Sequence, residues 1–292
     1  MTEWQGTTYG NSWMHRWLIR MLRVIPVWVL YAFVAVAVVP VCMIVNPARS
    51  IIYRYFRERW NMRPFKAMLM TYRNFYLFAQ VVIDKFAMYA GRRFEIDVEG
   101  LEYYNKLANA AEGFVILSAH IGNYEIAGYT LHADAKRFNA LVFGGEKGSV
   151  MENRNRMFAN TNIRMIAVSD DMSHLFAINN ALADGETVSM PADRMLGSRR
   201  TIGITLLGAE AHLPRGPFDV ATMRGLNVVA VNVMKTAAKK YTIYVTPLTY
   251  NHEATRTEQS LQLAQGYAAE LERMLKMYPA QWYNYFEFWH TS

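Results

Sequence analysis

The sequence predicts an α/β fold: a mostly parallel central sheet covered by helices, with an N-terminal apolar membrane helix in front of it. Three observations predict this. From residue 93 onward, short apolar runs with β-like composition alternate with amphipathic stretches, the pattern of a parallel sheet with helices on both faces. Residues 24–48 carry no charged side chain, and about 20 apolar residues suffice to cross a hydrocarbon core of roughly 30 Å. The net charge of +7 is confined to the flanks of that apolar stretch.

The charge distribution excludes one class of function. Residues 1–23 carry Arg16, Arg20 and Arg23 against Glu3, and residues 49–66 carry Arg49, Arg54, Arg57, Arg59, Arg63 and Lys66 against Glu58. The remainder sums to zero. A nucleic-acid-binding domain needs a basic face on the folded body, so nucleic acid is not an expected partner. Trp13, Trp17, Trp28, Tyr53 and Tyr55 stand near the ends of the apolar stretch, where amphipathic rings favour headgroups. Pro26 and Pro40 imply a kinked helix, either a tilted span or an embedded hairpin. The more basic C-terminal flank predicts that the long remainder lies on the cytoplasmic side. Residues 65–90 read as a second helix, on the globular domain or in the interface.

Strands are expected at 94–98, 114–118, 139–143, 164–168, 187–190, 201–207, 228–234 and 241–247. Helices are expected at 101–111, 124–135, 149–160 and 171–183, with a long closing helix at 253–277. There is no internal repeat and no Gly-, Pro- or Ser-rich linker. The chain divides into a membrane anchor with basic flanks, 1–62, and one catalytic-sized α/β domain, 63–292. The single cysteine, Cys42, excludes a disulfide framework, a cysteine zinc site and a thiol redox pair.

Three segments carry candidate chemistry. In Phe114-Val-Ile-Leu-Ser-Ala-His120-Ile-Gly-Asn-Tyr-Glu125 an apolar strand runs into a histidine, a Gly-Asn turn and an acid in a helix's first turn. Asn123 is a natural N-cap. With His120 in the preceding loop, Glu125 can fix the imidazole's tautomer, as a general base requires. Pro191-Ala-Asp193-Arg194 ends a strand with an acid and a fixed cation, suited to an anionic substrate or an oxyanion. A surface ion pair between Asp193 and a neighbouring arginine explains it equally well. Pro214-Arg215-Gly216-Pro217 is a rigid turn presenting backbone N–H groups at a helix start; plain turn chemistry accounts for it too. The seven histidines contain no i, i+4 zinc pair, so no metal is expected. No Gly-x-Ser-x-Gly elbow, P-loop or dinucleotide motif occurs.

Taken together, His120-x4-Glu125, Pro191-Ala-Asp193-Arg194, Pro214-Arg-Gly216-Pro217 and Pro279-Ala-Gln281-Trp282 resemble the bacterial lipid A biosynthesis acyltransferases, in the lysophospholipid acyltransferase superfamily. The resemblance covers nearly the whole chain. It implies a membrane-bound O-acyltransferase with His120 as base, Glu125 as its partner, and Asn123, Asp193, Arg194, Arg215 and Gly216 around the oxyanion and substrate. It implies transfer from an acyl carrier protein or coenzyme A thioester to a hydroxyl of a lipid acceptor, with no other cofactor. It places the chain in the bacterial inner membrane, the catalytic domain cytoplasmic. The family's chain end is associated with basic residues. Here Asn284-Tyr-Phe-Glu287-Phe-Trp-His290 has none, which favours an aminolipid or lysophospholipid acceptor as the alternative to a lipid A precursor. A non-catalytic membrane-anchored lipid-binding protein is the rival from another class. Lys235, Lys239 and Lys240, with Arg199 and Arg200, are the expected docking cations for an acidic carrier protein.

Overall fold

In a computed structural model, the described residues are 12–131, 136–143, 161–168, 171, 173–194 and 200–289. The expected helix at 149–160, as well as Arg199 and His290, lie outside them. Seven strands form the main sheet: β1 (Glu95–Glu99), β2 (Phe114–Ser118), β3 (Phe138–Phe143), β4 (Ile163–Val168), β5 (Thr187–Pro191), β8 (Asn227–Ala237) and β9 (Lys240–Leu248), in the order β1-β9-β8-β2-β5-β3-β4. Strands β8, β2, β5, β3 and β4 run parallel. β9 returns antiparallel to β8, and β1 pairs parallel to β9. The sheet is therefore mostly parallel, as expected.

Alternation along the central strands divides the interior in two. On β2, Val115 and Leu117 face one cluster while Phe114 and Ile116 face the other. On β8, Val228, Ala230 and Met234 join the first and Val229, Val231 and Val233 the second. Both faces are covered, which is why these strands read as continuous apolar runs. Helices α6 (Leu101–Asn109), α7 (Glu125–Thr130), α8 (Ser173–Ala183), α9 (Gly216–Met223) and α10 (Arg256–Met277) follow the strands. A capping box at Thr255 and Glu258 starts α10, three residues later than the sequence suggests.

A second, two-stranded sheet differs from expectation. β6 (Thr201–Leu206) pairs antiparallel with β7 (Ala209–Pro214), where no strand is expected. Leu207 and Gly208, at φ of 49° and 74°, form the two-residue turn between them. A leucine at positive φ is a weak turn signal, so the hairpin was hidden.

The N-terminal region is built of α1 (Ser12–Val24), α2 (Val27–Phe33), α3 (Val39–Val45), α4 (Ala48–Arg54) and α5 (Pro64–Tyr89). Pro26 separates α1 from α2. A π-helical turn, Val34–Val38, joins α2 to α3 just ahead of Pro40, whose missing N–H breaks the regular ladder. Val27–Val45 is 19 residues with mean hydropathy 2.6, long and apolar enough to cross a membrane. The division at residue 62 is not a gap in packing: Ile52, Tyr55 and Phe56 are buried in the same cluster as Trp282.

Candidate active site

The site forms where two neighbouring parallel strands end. β2 and β5 pair in register with Ser118 opposite Pro191, so the chain leaves both strands at the same level. His120 and Asp193 each stand two residues further on. His120 Nδ1 lies 2.7 Å from Asp193 Oδ1, and the His120 backbone N–H donates to Oδ2 at 2.8 Å. The carboxyl ends of parallel strands are where α/β sheets build sites.

Backbone contacts fix the His120 loop from both sides. Asn123 N–H donates to Val233 C=O on β8 at 2.8 Å, and Gly122 N–H donates to Gln281 C=O at 2.8 Å. Tyr283 N–H returns a bond to His120 C=O at 3.1 Å. Gly122 has φ +54°, and a Cβ there would lie 1.8 Å from Val233 O, so only glycine fits. The tail is held in turn. Gln281 accepts from Lys235 N–H at 2.9 Å and donates to Lys235 C=O at 2.8 Å, a side chain bonding the strand as a backbone would. Asn74 on α5 donates to the carbonyls of Ala280 and Trp282 at 3.0 and 2.8 Å. The Pro279–Trp282 motif is thus the brace of the histidine loop.

Charge at the site is fixed by burial. Desolvation lowers the His120 pKa below its ordinary 6.5, and the Arg194 cation lowers it further against the pull of Asp193. The imidazole is neutral at pH 7. Burial alone would raise Asp193, but His120, by its charge when protonated and by its ring and backbone hydrogen bonds, together with the Arg194 cation, holds it below the ordinary carboxylate value. An ionised Asp193 keeps the imidazole proton on Nδ1, leaving Nε2 as the basic nitrogen. The half-buried Arg194 donates to Tyr283 C=O at 2.9 Å, so one cation both neighbours His120 and holds the tail.

Three expectations are corrected. The carboxylate on the His120 ring is that of Asp193. Glu125 lies against α5, where Lys85 pairs with it and Tyr89 donates to it at 3.1 Å. Asn123 does not cap α7 with its side chain, because the helix begins one residue later with Tyr124 at the cap position. Its Nδ2 points instead to Tyr241 Oη, 3.5 Å away, in a buried polar cluster. Arg215 is held by Asp219 at 3.0 and 3.1 Å and reaches Thr257 at 3.4 Å, tying the start of α9 to α10. Gly216 opens α9 on that same turn. Of the residues expected, the structure brings together His120, Asp193 and Arg194.

One residue of the expected carrier-docking cluster, Lys235, is corrected as well. Lys235 is buried and bonded to Asp84, Tyr31 and Tyr241, with Ala238 C=O accepting at 3.0 Å. Lys240 is paired with Glu95 at 2.7 Å and Asp97 at 2.8 Å. Both were invisible as partners because their acids lie far away in sequence. Asn74 and Lys85 have no place in the sequence expectation, and Gln281 enters it only as part of the Pro279–Trp282 motif. The signal available was Asn74, Asp84 and Lys85 among the polar residues of a mostly apolar α5.

Among the described residues no cluster of His, Cys, Asp and Glu could hold a metal ion. The profile of the family described as bacterial lipid A biosynthesis acyltransferase matches residues 66–291. Among solved structures, the chain is similar to the crystal structure of the 1-acyl-sn-glycerophosphate (LPA) acyltransferase PlsC from Thermotoga maritima. The two share 15% identity over 92% of this chain and 99% of that chain, with a TM-score of 0.41. No curated protein matches the chain.

Proposed function

From the premise that this chain belongs to the bacterial lipid A biosynthesis acyltransferase family, we propose that it transfers a fatty acyl chain from a thioester, on acyl carrier protein or coenzyme A, to a hydroxyl of a membrane lipid. The observation that carries the reading is the His120–Asp193 pair at the ends of β2 and β5. It supports general-base chemistry, because a buried carboxylate fixes the tautomer of a neutral imidazole.

His120 Nε2 takes the proton of the acceptor hydroxyl as its oxygen attacks the thioester carbonyl carbon. Asp193 stabilises the imidazolium so formed. Negative charge moves to the carbonyl oxygen of the tetrahedral adduct, and Arg194 is the nearby fixed cation that opposes it. The adduct collapses by breaking its C–S bond. The departing sulfur takes the proton from Nε2, and the acyl ester remains on the lipid. Every proton is accounted for without an additional cofactor. Neutral His120 and ionised Asp193 are the protonation states this sequence needs at the start of each turnover.

A lipid A precursor-like acceptor follows the family. A lysophospholipid or aminolipid acceptor is the second reading, favoured by the tail: Trp282 and Trp289 pack on Tyr55, Phe288 packs on Trp282, and Glu287 pairs with Arg54, so this end adds no excess cation. The work is assigned to the cytoplasmic face of a bacterial inner membrane.

Mass spectrometry of lipids from cells lacking the protein, or overproducing it, tests the proposal. The expected result is a lipid species that gains one acyl chain with the unaltered protein and not with His120→Ala. If no lipid changes with either, the chain is a lipid-binding protein and the transferase reading fails.

A further inference from the structure

The apolar segment is fastened to the catalytic domain at both ends. Near its start, Tyr31 bonds buried Asp84 of α5 and donates to Ala238 C=O, in the β8–β9 turn, at 3.1 Å. Beyond its end, Tyr55 donates to Pro279 C=O at 3.3 Å and packs on Trp282 with ring centroids 5.5 Å apart. The chain between these two points is not one straight helix: α3 ends at Val45, Asn46 is extended and α4 begins at Ala48.

Between those points the segment lies along α5, antiparallel to it. Tyr31 meets Asp84, whereas Tyr72 donates to Ala35 C=O. On its other side α5 is held to the globular domain along its length: Asn74 donates to the tail carbonyls, Phe75 stacks on Tyr285, Phe78 packs on Tyr283, and Lys85 pairs with Glu125. A segment laid on α5 cannot cross a bilayer unless this polar seam crosses too. Buried polar and ionised groups cannot be drawn through hydrocarbon together with the irregular loops around them.

We infer that residues 27–45 do not span the membrane: they lie along one leaflet, and the partner of their outward face is the acyl region under anionic headgroups. The face is apolar over its whole length. Val27, Tyr31 and Val39 point inward, whereas Trp28, Phe33, Val36, Val41 and Ile44 are 55–78% exposed. Phe65, Met68 and Leu69 of α5 extend the same apolar exposure. The charges at its borders are basic on both sides, Arg16 and Arg20 before it and Arg49, Arg57 and Arg63 after it, complementary to anionic lipid at one surface. A lipid acceptor then reaches the domain sideways from the leaflet that the chain occupies.

This inference rests on the membrane part of the proposed function and is tested without catalysis. In full-length protein with Cys42→Ser, single cysteines are placed by Arg20→Cys, Arg49→Cys or Lys239→Cys and reacted with a membrane-impermeant maleimide. The reactions use sealed vesicles of one orientation, and all three positions are exposed. Labelling of all three from the same side is expected; labelling of positions 20 and 49 from opposite sides overturns the inference. A fluorophore on Val36→Cys should be quenched by lipids brominated on their acyl chains. Absence of quenching, with Val36→Cys cross-linking between copies, would show that a second copy covers the face and would also overturn it. The same labelling pattern is expected with His120→Ala, so loss of acyl transfer and loss of this topology are read separately.

Discussion

His120 and Asp193 stand opposite each other because the strands that carry them are parallel neighbours in register, Ser118 against Pro191. Equal two-residue extensions then place imidazole and carboxylate 2.7 Å apart. The same register brings Ala192 N–H to Ser118 C=O at 2.9 Å, so the two loops leave the sheet bonded to each other. Orientation of the base is therefore a property of the sheet more than of the loop sequence.

Asp193→Asn should lower turnover by about 10²–10⁴-fold while the protein stays folded, since an amide no longer holds the imidazole proton on Nδ1. Glu125→Gln, which weakens a contact to Lys85 and Tyr89 on α5, should cost less. Steady-state rates beside melting curves make the comparison. Equal or larger loss in Glu125→Gln would return the orienting role to Glu125.

The pH dependence follows from the direction of the His120 shift. A base works when deprotonated, and burial and Arg194 place its pKa below 6.5. The rate should hold as pH falls from 7 to about 6.5, the ordinary histidine value, and decline only below that. Arg194→Met removes the cation that depresses the pKa and should move this acidic limb upward, in addition to any loss of rate. An unmoved limb in a folded Arg194→Met protein would contradict the electrostatic assignment.

Much of this was legible in the sequence, and what was not has a physical reason. Continuous apolar runs such as Phe114–Leu117 marked the central strands because both of their faces are covered. His120 and Asp193 were each recognised at a strand end. Their pairing was not, because it depends on the strand order β8-β2-β5, which no local pattern encodes. Glu125 was the nearer carboxylate in sequence and is held by a helix 40 residues before it. Lys235 reads as a surface lysine beside Lys239 and Lys240. Its burial depends on Asp84, 151 residues away.

The brace of the histidine loop gives a third prediction. Gln281→Leu keeps the volume near Lys235 but removes two hydrogen bonds to the strand, each worth about 1 kcal/mol. The tail then holds Gly122 less firmly. The turnover number should fall more than KM rises, because the base is misplaced while the lipid and donor surfaces are unchanged. A variant with normal turnover and only a lower melting temperature would reduce Gln281 to a stabilising contact.

The last prediction concerns the buried pair Asp84–Lys235, which joins α5 to the end of β8 directly behind that brace. Asp84 is fully buried and Lys235 nearly so, with Tyr31 and Tyr241 completing the cluster. Removing one partner of such a pair leaves an uncompensated charge, at a cost of roughly 3–5 kcal/mol, whereas removing both is often far less damaging. Lys235→Met should therefore lower the melting temperature by on the order of 10 °C. The double variant Asp84→Leu with Lys235→Met should recover part of the loss. If charge pairing holds α5 to the sheet, recovery in the double variant is the diagnostic result, since a defect in packing alone would deepen with the second substitution. A Lys235→Met melting curve superimposable on that of the unaltered protein would mean that the apolar contacts of Phe86 and Ala87 with Leu22 and Val27 hold this corner without the ion pair.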